Sequence, residues 1–302
     1  MGTGTVTNFR AWGIGLAAFL LALGVPAYLA LRGDRPAVRA TDSSVVKQSD
    51  GAAIRSEQLP PSLPTGQRAQ RPLAGLKFNT QPLNGRAYSI AQSFDAPPGD
   101  AAEVVARLLP LAEAGDEVAA FAIYRKVDTC RVDLLMARDS APSTDLDALI
   151  PAECRSIPIE QWRTYTSRWL EASAERGFVP AQLLYSSNPE AVVGNGMEML
   201  SAPDAVASYR RKAMTYLQRA AATGNVDALQ RLARAYGVGV LTKRDPALAY
   251  AYNAAADTAM QGAIEPELAQ AVRQQYAQGL SSSDIERATQ QGRKIYETCC
   301  SP

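Results

Sequence analysis

A chain of 302 residues with 31 basic and 30 acidic side chains, a formal net charge of +1 and no histidine is constrained first by what it lacks. Without histidine there is no Ser–His or Cys–His nucleophilic pair, no imidazole general base and no histidine-ligated zinc. Near-neutral charge, with no basic stripe interleaved with aromatics, argues against a nucleic-acid partner, and 47% hydrophobic residues, alanine foremost, suit a helical protein of one or two domains.

Residues 1–10 form a short N-terminal tail. Residues 11–31 carry no charge, are almost wholly apolar, and are bounded by Arg10 and Arg32. About 20 such residues cross a hydrocarbon core as a helix. Two readings stand: an uncleaved transmembrane signal anchor, or a signal peptide cut after Gly24, beside Val25-Pro26-Ala27. Tyr28-Leu29-Ala30-Leu31 extends the apolar run past that site and favours the anchor. No cysteine lies in this segment, which excludes a lipoprotein anchor. Residues 32–98 read as a flexible linker rich in Pro, Ser, Gln and Arg, with neither helical nor strand periodicity. About 65 residues of such chain span roughly 40–50 Å. Within it, Leu76-Lys77-Phe78 and the stretch from Tyr88 to Phe94 carry apolar side chains. They are either part of the spacer or a segment that docks on a partner or on the folded domain.

Residues 99–302 are expected to hold eight or nine helices and no strand. Asp100 is placed to cap the first, with Glu103 three residues on. Val104, Val105, Leu108 and Leu109 form its apolar face. Pro158 opens another helix, on which Trp162, Tyr165 and Trp169 share one face and are read as core. Further helices open at Pro203, Pro246 and Pro266, and a last one at Ser283-Asp284, with Ile285, Ala288, Gly292 and Ile295 along one side.

The most telling pattern within this domain occurs three times. Gly115, Gly177 and Gly224 are each followed four residues later by alanine, at Ala119, Ala181 and Ala228, and then by a helix face ending at Tyr124, Tyr185 and Tyr236. Trp169-Leu170 and Tyr216-Leu217 stand eight and seven residues before the second and third glycines. Glycine at such a place supplies the positive φ at which helices commonly end. Ala228, Leu232 and Tyr236, at i, i+4 and i+8, make one helical face, with alanine where two antiparallel helices meet. This is the pattern of helix–turn–helix units stacked into a solenoid.

The run from Tyr216 through Gly224, Ala228, Leu232, Tyr236, Gly237 and Gly239, continued by Asp245, Ala249 and Tyr252, resembles a Sel-one-like repeat, a family related to the tetratricopeptide repeats. The stretches 107–124 and 169–185 match only through their helix–turn–helix halves, and residues 125–157 and 186–204 stand as insertions where the family has a short loop. The resemblance implies an all-α, α/α solenoid of degenerate repeats used for protein–protein contact, often in bacterial cell-envelope or regulatory systems. It brings no catalytic residues and no cofactor.

The cysteines bear on the compartment. Arg32, Arg35 and Arg39, counted after residues 11–31, favour a cytoplasmic domain. Cys130 and Cys154 flank one insertion and read as a disulfide, which needs an oxidising compartment. Adjacent Cys299 and Cys300 are not expected to bond to one another. On balance the domain is expected in the periplasm, held at the inner membrane by residues 11–31, or released there if the segment is cleaved. Asp128 and Asp133, or Glu113 with Asp116 and Glu117, are the carboxylate pairs on offer, and nothing in the sequence places either in an apolar cleft. Gly237-Val238-Gly239 follows a helix and lacks the further residues of a phosphate loop. Arg210-Arg211-Lys212 reads as a solvated helix face or a partner patch. The expected function is a non-catalytic envelope adaptor for a protein partner, with no metal and no cofactor, and with Arg231 and Arg234 turned outward as its partner surface. A peptidoglycan-directed enzyme or accessory subunit, and a polysaccharide-export scaffold, are the alternatives.

Overall fold

A computed structural model of the chain describes residues 78–92, 95–140 and 145–302. The expected membrane segment 11–31 and most of the linker lie outside them. Among the described residues no helix is long and apolar enough to cross a membrane.

Helices α1 (Ala101–Glu113) and α2 (Glu117–Ser140) form the first hairpin; α4 (Ile159–Glu175) and α5 (Val179–Ser187) the second; α8 (Pro203–Ala222) and α9 (Val226–Val238) the third. Each of the three turns holds its glycine at positive φ: 99° at Gly115, 94° at Gly177 and 91° at Gly224. That φ is steep for any residue with a Cβ, and it is the conformation the sequence pattern asks of glycine at these turns. Ala119, Ala181, Ala228, Leu232, Trp169, Tyr216 and Tyr236 are all buried. Successive helices pack in chain order, α2 on α4, α5 on α8, and α9 on α10 (Pro246–Ala259). A fourth pair closes the row: α10 packs on α12 (Ser282–Cys299), and α11 (Pro266–Ala277) is inserted between them in the chain. Gly292 makes that last contact close, since a Cβ there would stand 2.7 Å from the Ala251 carbonyl oxygen.

Three more short helices, α3 (Leu146–Leu149), α6 (Pro189–Val192) and α7 (Gly196–Ser201), bring the described residues to twelve, above the eight or nine expected. They lie in the two insertions, where single turns capped by Asp145, Asn188 and Asn195 leave no long apolar period to read. The first insertion is more ordered than expected. Helix α2 runs on to Ser140, and the chain returns through a 3-10 turn at Ala152–Cys154. There the Cys130 and Cys154 sulfurs meet, with Cα atoms 5.7 Å apart. Lys126, 1% exposed, reaches Glu153 at 3.0 Å beside them.

Two expectations fail. Residues 78–92 are not linker: β1 (Phe78–Pro82) pairs antiparallel with β2 (Tyr88–Gln92), with Thr80 opposite Ile90. The domain is therefore not purely helical, and it begins at least twenty residues before Gly99. Asn84-Gly85, the strongest short hairpin signal there is, was the clue. This hairpin docks on the solenoid. The Tyr88 N–H donates to the Gly224 carbonyl (3.0 Å), Asn84 N–H to Ala259 O (3.0 Å) and Arg86 N–H to Cys300 O (2.7 Å). The Arg86 guanidinium donates to Ser301 O at 2.8 Å. One hairpin thus ties together the α8–α9 turn, the end of α10 and the end of the chain. Cys299 and Cys300 are the second failure: the sulfurs of the two neighbours meet, and both residues are buried under that clamp. Burial and the hydrogen-bonded main chain at Cys300 hold a geometry that local preference alone disfavours. The last helix also starts earlier than expected, capped by Ser281 in a reciprocal box with Asp284.

Candidate functional site

The feature with the shape of a binding site is a groove of about 920 Å³ whose walls are α5, α8 and α9. Its cause lies in unequal helix lengths. Helix α5 has 9 residues and α8 has 20, so α8 outruns its neighbour, and the short helices of the second insertion cover only part of the gap. Among its apolar lining residues Leu183 and Leu217 are buried, and Val193, Met199, Val206, Val238, Val240 and Leu241 also line it. Val238 and Val240 are 61% and 60% exposed. Ile90 of the docked hairpin also lines the groove.

Three arginines enter this groove. Arg210 on α8 and Arg234 on α9 are exposed and form no ion pair among the described residues. Arg231 departs from the expectation that it points away from the core. It is partly buried, and its Nη1 donates to the Leu183 carbonyl at 2.9 Å. Burial lowers the Arg231 guanidinium from its ordinary value, and Asp227 opposes the shift. Arg231 therefore holds α9 to α5, and Arg234 alone of the expected pair is free to meet a partner. Next to it, the Tyr209 hydroxyl donates to Tyr185 O at 2.8 Å, and burial raises its pKa. Asp227 is the one acidic side chain lining the groove. It accepts from the Ile90 N–H at 3.0 Å and from the Asn225 amide at 3.4 Å, so it serves the hairpin.

The other candidates disperse. Asp128 is buried and held by Arg131 (2.9 Å) and by the Tyr124 hydroxyl (3.1 Å), while Asp133 is exposed, so the two carboxylates do not converge. Asn188 donates to Tyr124 Oη at 3.0 Å and Glu190 reaches Arg131 at 3.5 Å, which makes this network a joint between α2 and the second insertion. Asp116 caps α2, accepting from Val118 and Ala119 N–H. Glu113 faces Arg168 at 3.5 Å. Trp162, Tyr165 and Trp169 lie on the inner face of α4, the first and last of them buried. Gly239 ends α9 with φ 83°, the helix stop expected of a turn. Of the basic triplet, Arg210 lines the groove, Arg211 is exposed and Lys212 pairs with Glu171. Among the described residues no cluster of acidic or cysteine side chains is arranged to hold a metal ion.

No family model matches the chain, and no curated protein matches it. The solved structures that are similar include the crystal structure of c5321, a protective antigen present in uropathogenic Escherichia coli strains, which displays an SLR fold. It is 16% identical, with 64% of this chain and 48% of that one covered and a TM-score of 0.26. The chain thus spans about half the length of that protein.

Proposed function

We propose that the chain is a non-catalytic protein–protein interaction adaptor of the cell envelope, built on degenerate Sel-one-like repeats, whose partner surface is the groove between α5, α8 and α9. The observation that carries this reading is Val238 and Val240 standing 61% and 60% exposed at the mouth of a groove of about 920 Å³. An apolar recess of that volume, with a few polar side chains in its lining, has the form of a binding site. The three glycine turns support the repeat reading, and four cysteines that pair two by two favour an oxidising compartment. In this reading residues 11–31 anchor the chain in the inner membrane and the domain faces the periplasm.

A photo-reactive amino acid placed at Val238 in the full-length chain, in its native cells, tests this. Envelope proteins are expected in the adducts, and far fewer from the same group at Thr289 on the exposed side of α12. Equal yields at both positions would remove the groove from the proposal. Adducts confined to cytoplasmic proteins would overturn the compartment.

A further inference from the structure

We infer that the groove is selective for an anionic peptide segment, one that sets an apolar side chain against Val238, Val240 and Met199 and carboxylates against Arg210 and Arg234. This rests on the adaptor reading and names the chemistry of its partner. Charge carries the step. Arg210, Arg231 and Arg234 enter the groove against Asp227 alone; Asp227 keeps its charge while accepting from the Ile90 N–H and the Asn225 amide and acts on Arg231, which leaves Arg210 and Arg234 without a counter-charge in the groove lining. A protein of net charge +1 has therefore concentrated unbalanced positive charge in one apolar recess. Field lines focus in such a recess, and an arginine on its wall is worth more to an anionic ligand than one on an open surface.

The same charge argues against this chain's own N-terminal region as occupant. Residues 1–77 hold nine basic and four acidic side chains, the same sign as the groove. Polysaccharide fits less well than peptide. Sugar sites present aromatic faces and dense polar groups, whereas the one aromatic ring here, Tyr209, is 5% exposed with its hydroxyl donated to Tyr185 O. Exposed valines beside two arginines suit a short segment with one or two aliphatic anchors flanked by Asp or Glu.

The test is selection of random 12-residue displayed peptides on the detergent-solubilised full-length chain. Recovered peptides are expected to be acidic with a Leu, Ile, Val, Met or Phe anchor. A labelled copy of the best should lose about tenfold or more in affinity to R210E/R234E, and should weaken as salt rises. Both side chains are exposed, so the variant should melt with the parent, and Arg231 is left in place because it holds the Leu183 carbonyl. Val238→Asp should abolish binding of the same peptide. Neutral or basic recovered peptides, no enrichment over an empty support, or undiminished binding to R210E/R234E each overturn the inference. So does binding of polygalacturonate, an anionic polysaccharide, with the same arginine dependence in place of peptide. Photo-adducts from Val238 separate the two levels of the argument. A partner segment that is neutral or basic sinks the inference and leaves the adaptor standing. Adducts only with a second copy or with residues 1–77 sink both.

Discussion

The α1–α7 region and the α8–α12 region solve one packing problem with different materials. In the first, the space between helices is filled by large side chains: Phe121, Tyr124, Trp162, Trp169, Phe178 and Tyr185 are buried together, with Phe121 and Phe178 edge to face at 5.2 Å. In the second many of the buried side chains are small, Ala228, Ala233, Ala249, Ala251, Ala255 and Ala256 among them, and Gly292 of α12 lies close against the α10 backbone. Both sides carry insertions. Segments 125–157 and 186–204 fall on the aromatic side, and the first is braced by Cys130–Cys154 and by Lys126–Glu153. On the alanine-rich side α11 is inserted between α10 and α12. The alanine-rich side is sealed from outside, by the β1–β2 hairpin clamping the chain end. A solenoid repeat is thus specified by where its turns fall, and either volume or closeness can fill the interior.

The largest expected effect breaks the aromatic side. Trp169→Ala empties a site 2% exposed and should cost about 3–5 kcal/mol in urea unfolding of the full chain. A loss below about 1 kcal/mol would mean that large side chains are not what fills this region.

Next comes the brace. With the cysteines 24 positions apart, replacing Cys130 and Cys154 together by alanine should cost about 3 kcal/mol in the chain-entropy account. Peptide mapping without reductant should recover Cys130 linked to Cys154 from the parent. Finding Cys130 as a free thiol would remove the brace, and with it one argument for the periplasm.

The smallest effect sharpens the difference between the two sides. Gly177→Ala meets nothing within 4 Å and should cost only the positive φ, about 1–2 kcal/mol. At Gly224 the new Cβ would stand 2.8 Å from the Arg86 carbonyl oxygen of the hairpin. Gly224→Ala should therefore lose about 1–3 kcal/mol more than Gly177→Ala. Equal losses at the two turns, measured side by side in urea, would show that the hairpin does not press on the α8–α9 turn. A fragment starting at residue 99 lacks that hairpin and is not a fair stand-in for the domain.

The groove was half legible. Arg234 reads outward from helical spacing alone, because Ala228, Leu232 and Tyr236 claim the opposite face. Arg231 does not, since its burial depends on the Leu183 carbonyl, 48 residues away in the chain, and no periodicity carries that distance. Met199 and Val193 joined the site from a segment that read only as an insertion. Arg210 was visible as part of a basic triplet, but its separation from Lys212 is decided by Glu171 on another helix.

Turns, caps and buried faces followed from residue type and spacing over ten to fifteen positions, because sterics at Gly224, capping at Asp100 and the 3.6-residue period are local. Pairings across the chain were decided by the folded whole. The hairpin's seat on Gly224 and Cys300, the meeting of Cys299 with Cys300, and the gap left where α8 outruns α5 all depend on which surfaces arrive side by side. A strand of five residues has too little burial of its own to declare itself, and it gains its partners only once α8, α9, α10 and α12 have assembled the ledge on which it rests.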